Sequence, residues 1–177
     1  MDFIKQLRKY KKLKSLTMTF HKHADKNLEV LYALTQEGSL PSLESLALEL
    51  KQITLNTYHS SRLRNFLQNK PAFKHLELSI DSSDSNERQI CSIIPNKLES
   101  LRLRVDSCSF FGDHRLESLH AKLSNMPFLL KFDLHLDSTL RLTNYCFKKI
   151  GWALARFLDF NPWIFISKKS QKYLMKV

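Results

Sequence analysis

Glycine is scarce in this chain, with only Gly38, Gly112 and Gly151 among 177 residues. A phosphate-cradling loop needs glycines clustered as G-x-x-x-x-G-K-[ST] or G-x-G-x-x-G, so no such loop exists and nucleotide hydrolysis of that kind is excluded. Cysteine is equally sparse. Cys91, Cys108 and Cys146 are odd in number and never form C-x-x-C, which argues against a disulfide framework and a zinc knuckle and favours a reducing compartment. Long apolar runs are missing too. The longest, Ile150 to Ile166, is broken by Arg156, Asp159 and Pro162, and the amino-terminal MDFIKQLRKYKK lacks the apolar centre of a secretory signal. The expectation is a soluble intracellular chain without membrane contact, in the cytoplasm, the nucleus or a cytoskeletal or ciliary assembly.

Charge of one sign dominates only at the ends. The net charge is +11, but residues 1–26 carry eight Lys/Arg against two acids, residues 27–150 fifteen against fourteen, and residues 151–177 five against one. A protein whose main working face is a phosphate groove would carry its excess through the body of the fold.

What the sequence does have is a repeat. Leu13-Lys-Ser-Leu16-Thr-Met18-Thr-Phe20 has the same form as Leu43-Glu-Ser-Leu46-Ala-Leu48-Glu-Leu50 and Phe73-Lys-His-Leu76-Glu-Leu78-Ser-Ile80. Leu98-Glu-Ser-Leu101-Arg-Leu103-Arg-Val105 and, more loosely, Leu129-Leu-Lys-Phe132-Asp-Leu134-His-Leu136 complete five copies, spaced by 30, 30, 25 and 31 residues. Strict alternation of apolar and polar side chains puts them on opposite faces of a strand. Pro41, Pro71, Pro95 and Pro127 precede strand copies, and Pro162 precedes Trp163 to Ile166, a candidate sixth strand. Asp81, Asp106 and Asp137, each followed by serine, mark repeated strand exits.

Between strands the period changes to that of a helix. Leu28, Leu31 and Leu34 share a helical face, as do Leu63, Phe66 and Leu67, then Ile90, Ile93 and Ile94, then Leu116, Leu119 and Leu123. Phe3, Ile4, Leu7 and Tyr10 predict a helix before the first strand, and Phe147, Ile150, Leu154, Phe157 and Leu158 predict one before the last. Strand, turn and helix in units of about 30 residues predict a parallel sheet backed by helices. Leu46, Leu76, Leu101 and Phe132 would stack into one apolar ladder, with Leu48, Leu78, Leu103 and Leu134 as a second.

The L-x-x-L-x-L strands and their long units resemble leucine-rich repeats, nearest to the ribonuclease-inhibitor type, over Leu13 to Phe160. The pattern departs from that family where Asn or Cys is expected, since those positions are His21, Lys51, Asp81, Asp106 and Asp137. The resemblance implies an α/β leucine-rich-repeat solenoid of five to six repeats, with the parallel sheet on the concave side and helices on the convex side. Residues 1–160 would form the solenoid and residues 161–177 a capping strand and basic tail. The resemblance further implies recognition of other macromolecules, so the expectation is a non-catalytic scaffold subunit with protein partners in a multi-subunit complex.

In such a sheet, equivalent positions lie about 4.8 Å apart on neighbouring strands. One outward row runs Thr17, Ala47, Glu77, Arg102, Asp133, and the next runs Thr19, Glu49, Ser79, Arg104, His135. These are the strand-face interaction candidates. Arg102 between Glu77 and Asp133 reads either as intramolecular pairing on a solvated face or as a partner contact. The basic-end candidates are Lys5, Arg8, Lys9, Lys11, Lys12 and Lys14 before the first strand, and Lys168, Lys169, Lys172 and Lys176 after the last. They read as solubilising ends that discourage edge pairing, or as nonspecific grips on RNA or DNA backbone, the alternative function.

Catalytic patterns do not assemble. His21-x-His23 lacks further ligands at metal-binding spacing, and Asp113, His114, His120 and Cys108 show no positioned base with an oxyanion site. No metal, cofactor or small-molecule substrate is expected, and no enzymatic activity.

Overall fold

The computed structural model describes residues 6, 9–21, 30, 33–36, 38–53, 55–81, 87–106, 116–137, 144–155, 163–168 and 171–176. Strands β1 (Ser15–His21) and β2 (Ser45–Lys51) come first, followed by helix α1 (Thr57–Gln68) and strand β3 (His75–Asp81). Then alternate α2 (Glu87–Ile93), β4 (Ser100–Asp106), α3 (Leu116–Ser124), β5 (Lys131–Asp137) and α4 (Asn144–Ala155), before β6 (Trp163–Lys168) and β7 (Gln171–Lys176). Each described strand copy is thus a strand, and the chain is an α/β fold in which the five parallel strands β1 to β5 alternate with helices within a larger sheet.

The sheet keeps chain order, β1 through β7. From β1 to β5 the register never slips. Leu16, Leu46, Leu76, Leu101 and Phe132 pair in one row, and Met18, Leu48, Leu78, Leu103 and Leu134 in the next. Phe20, Leu50, Ile80, Val105 and Leu136 make a third. Because a one-residue slip would send all three rows to the polar face, burial fixes the register. These rows, from β2 onward, are buried in one cluster with Leu34, Leu63, Phe66, Leu67, Ile90, Ile93, Ile94, Leu119, Leu123 and Ile150 from the helical segments. The predicted helical faces are therefore the ones that meet the sheet. Leu28, Leu31, Phe3, Ile4, Leu7, Phe157 and Leu158 lie outside the described residues, as do the side chains of Leu116, Phe147 and Leu154.

A tight turn precedes β1, β2, β3 and β5 and explains three of the five prolines. Leu43, Phe73 and Leu129 donate their backbone N–H to the carbonyls of Leu40, Lys70 and Met126, at 3.2, 3.2 and 3.3 Å. Pro41, Pro71 and Pro127 each occupy the second position of these turns, where proline's fixed φ is already correct. Leu13 closes the same turn on Tyr10 at 3.2 Å without a proline. Leu40 holds a positive φ of 45°, a conformation unfavourable for leucine that its complete burial keeps in place.

The carboxy-terminal end differs from the sequence expectation. β6 pairs in parallel with β5 at only three positions, Asp133 with Phe165, Leu134 with Ile166 and His135 with Ser167. β7 then runs antiparallel to β6, from Trp163 opposite Lys176 to Lys168 opposite Gln171. Residues 171–176, read as part of a basic tail, are thus a strand. Tyr173, Leu174 and Met175 are consecutive and not alternating, so the period-2 signal that marks the other strands is missing there. Among the described residues, no helix is long and apolar enough to cross a membrane.

Candidate interaction surface

The polar positions of each strand project away from the helices, and the rows predicted from sequence are in register. Thr17, Ala47, Glu77, Arg102 and Asp133 pair in sequence, as do Thr19, Glu49, Ser79, Arg104 and His135. Arg102 sits between two carboxylates. Its Nη1 donates to Glu77 Oε2 at 3.3 Å and its Nε to Asp133 Oδ2 at 2.9 Å. One guanidinium therefore bridges three strands, a fit that its fork of donors allows and a lysine would not reproduce. A shallow depression of about 180 Å³ opens beside this bridge, where Ala47 is the smallest side chain of the row.

In the second row Thr19 Oγ1 donates to Glu49 Oε2 at 3.0 Å, and Lys51 Nζ lies 3.0 Å from Glu49 Oε1. The hydrogen bond from Lys51, helped by that from Thr19, holds the Glu49 carboxyl below its usual range against partial desolvation. His135 Nε2 lies 3.9 Å from Asp106 Oδ1. Arg104 is exposed and has no carboxylate partner among the described residues. Arg102 is thus occupied by neighbours, whereas Arg104 and Lys131, both exposed on this face, have no ion-pair partner among the described residues.

A further charged row went unrecognised in the sequence reading. It occupies the second position of each copy: Lys14, Glu44, Lys74, Glu99, then Leu130. Lys14 Nζ lies 2.9 Å from Glu44 Oε1, and Lys74 Nζ 2.7 Å from Glu99 Oε1. Beneath the side chains runs a backbone ladder. The carbonyls of Lys14, Glu44, Lys74 and Glu99 each accept two N–H groups from the following repeat, at 2.8–3.1 Å. The hydrogen bond from Lys14 holds Glu44 below the usual carboxylate range, with the charges of Lys14, Lys74 and His75 adding to it against some desolvation. Glu99 raises Lys74, first through its hydrogen bond and then through its charge. The signal was present, since aligned copies read K, E, K, E, L at that position.

Of the basic-end candidates, Lys9, Lys11, Lys12 and Lys14 are exposed before β1, and Lys14 is engaged by Glu44. Lys5, Arg8 and Lys169 lie outside the described residues, while Lys168, Lys172 and Lys176 belong to β6 and β7 with side chains outside the description. Exposed large apolar groups are Tyr10 among these lysines, Tyr58 on α1, Phe128 and Leu130 before β5, and Trp152 on α4.

The helical side carries a buried cation. Lys70, only 7% exposed, donates to the Ser39 carbonyl and lies 4.6 Å over the Phe66 ring. Burial pushes its ammonium pKa down. Lys97 reaches back to the carbonyls of Gln68, at 2.9 Å, and Lys70, placing a positive charge at the carboxy-terminal end of α1. A cavity of about 870 Å³ borders Lys70, Arg62 and the amides of Gln36, Asn65 and Asn69. Among the described residues no group of three or more His, Cys, Asp or Glu is placed to hold a metal ion. His21 ends β1 and His120 lies on α3, whereas His23, Cys108, Asp113 and His114 fall outside the described residues. Comparison of the chain with protein-family models, with curated proteins and with solved structures found no match in any of the three.

Proposed function

We propose that the chain is a leucine-rich-repeat solenoid, its sheet on the concave side, acting as a non-catalytic protein-interaction subunit of a larger intracellular assembly. The observation that carries this reading is the unslipped register of β1 to β5, which turns single residues into charged rows spanning five strands. A face already held by Arg102 and its two acids presents its pattern without ordering itself on binding, so association loses little side-chain entropy. The exposed Arg104, with Ser79 and His135 beside it, is the part of the face that a partner's carboxylate would meet. In this reading the chain uses no cofactor and turns over no small-molecule substrate.

A second reading rests on Lys9, Lys11 and Lys12, which are exposed before β1 and would add backbone contacts to RNA or DNA with strong salt dependence. Gel filtration of the native protein from cell extract, with and without nuclease, separates the two. A large particle that survives nuclease, and loses this chain when Arg104 becomes glutamate, supports the protein scaffold. A particle that collapses on nuclease treatment moves the nucleic-acid reading to first place, and a chain eluting alone in both cases removes both.

A further inference from the structure

β1 ends the sheet on one side, and among the described residues no strand pairs with its outer edge. Phe20 at the end of β1 is buried, but the apolar positions before it show what is missing. Leu13, Leu16 and Met18 are only partly buried, whereas Leu43, Leu46 and Leu48, their equivalents one strand further in, are buried completely. The charged row is incomplete at the same place. Lys74 lies between Glu44 and Glu99, but Lys14 has an acid on one side only.

We infer that the outer edge of β1 is a docking site for an extended segment of a partner protein, bound in parallel, with an acidic residue beside Lys14 followed by alternating apolar residues beside Leu16, Met18 and Phe20. This deepens the scaffold reading and rests on it. Strand addition to an exposed edge supplies main-chain hydrogen bonds, while alternate side chains provide selectivity. Selectivity here comes from charge. Lys9, Lys11, Lys12 and Lys14 surround the start of β1, and such lysines oppose pairing with another basic edge while attracting an acidic segment. The chain contains its own template for the occupant, because the strand preceding Lys74 is β2, with Glu44 followed by Leu46, Leu48 and Leu50.

The probe is therefore a synthetic peptide carrying residues 43–51, LESLALELK, added to the full chain while amide hydrogen exchange and affinity are measured. The expected result is new protection of the outward-pointing β1 amides on binding, and roughly fivefold weaker binding by the same peptide with Glu44→Lys. The Lys14→Glu chain should reverse that preference. Equal binding of both peptides, or protection appearing elsewhere, overturns the proposal. So do outward-pointing β1 amides, those not bonded to β2, already protected in the dilute monomeric chain, since another segment would then hold the edge. Self-association that protects β1 and excludes the peptide also overturns it, by making a second copy the occupant. The scaffold reading is tested apart from this one: Lys14→Glu protein that still enters the nuclease-resistant particle keeps the scaffold and sinks the edge as its contact. Wild-type protein that elutes alone from extract, yet binds the peptide at β1, does the reverse.

Discussion

Leu16 in β1 and Leu101 in β4 occupy the same position of the same pattern, yet Leu101 is fully buried and Leu16 only partly. The difference lies in the neighbours. Leu101 has Leu76 on one side and Phe132 on the other, while Leu16 has Leu46 alone. At this position burial follows the adjacent strands, although Phe20 at the end of the same edge strand is buried, so equal residues do unequal work. Leu101→Ala should cost about 2–5 kcal/mol, the range for a filled core site left as a cavity. Leu16→Ala should cost less than half as much in the same denaturant titration, because part of its surface already meets water. Equal losses at the two sites would break the comparison and show that β1 is covered in solution.

The contrast extends to the turn that precedes each strand. Tyr10 opens the first turn and is 56% exposed, while Leu40, Lys70 and Met126 open later ones and are all buried. Neighbours bury even a lysine. Desolvation lowers the Lys70 pKa below 10.5, so between the lowered value and 10.5 the unfolded chain binds more protons than the folded one. Stability must then rise with pH across that window. Against Lys70→Met, a side chain already found at the equivalent position 126, the wild-type protein should gain stability as pH climbs through the window just below 10.5. Parallel pH profiles for the two proteins would show that the Lys70 ammonium reaches water.

The double substitution Arg102→Ser, Arg104→Ser should change stability by no more than about 1 kcal/mol, since both side chains are substantially exposed and the ion pairs of Arg102 are solvent-screened. The interior of the sheet tolerates this because its register is set by the opposite face. Loss of partner binding with an unchanged melting temperature would identify the row as recognition surface, whereas retained binding would make it scaffolding.

How much of this was legible in the sequence follows from how each signal is written. The rows from Thr17 to Asp133 and from Thr19 to His135 were readable to the residue, because period-2 alternation and an in-register repeat leave one pairing that puts the strand leucines on a single face. The pairing of Arg102 with Glu77 and Asp133 followed from the same register. Lys70 was not legible. It sits where other copies place Leu40, Pro95 and Met126, and nothing local tells a lysine that reaches a carbonyl from one that reaches solvent. β7 was hidden for a different reason, since its apolar residues are consecutive and its flanks are lysines.

The smallest effect tests the unfinished row most directly. The Glu44 pKa is lowered chiefly by the hydrogen bond from Lys14, with the charges of Lys14 and Lys74 contributing less. A carboxyl depressed in this way contributes stability above its unfolded value near 4.5, and that contribution disappears as pH falls through the folded value. Lys14→Gln should therefore move the Glu44 titration, followed by carboxyl-carbon NMR, upward toward 4.5, leaving desolvation opposed only by the charges of Lys74 and His75. Lys74→Gln should move it less, since Lys74 acts on Glu44 through charge alone. Equal shifts from the two substitutions would mean that Glu44 divides itself evenly between its neighbours. Lys14 at the edge would then be held no more firmly than Lys74 in the interior, and the asymmetry between the end of the sheet and its middle would not extend to its charges.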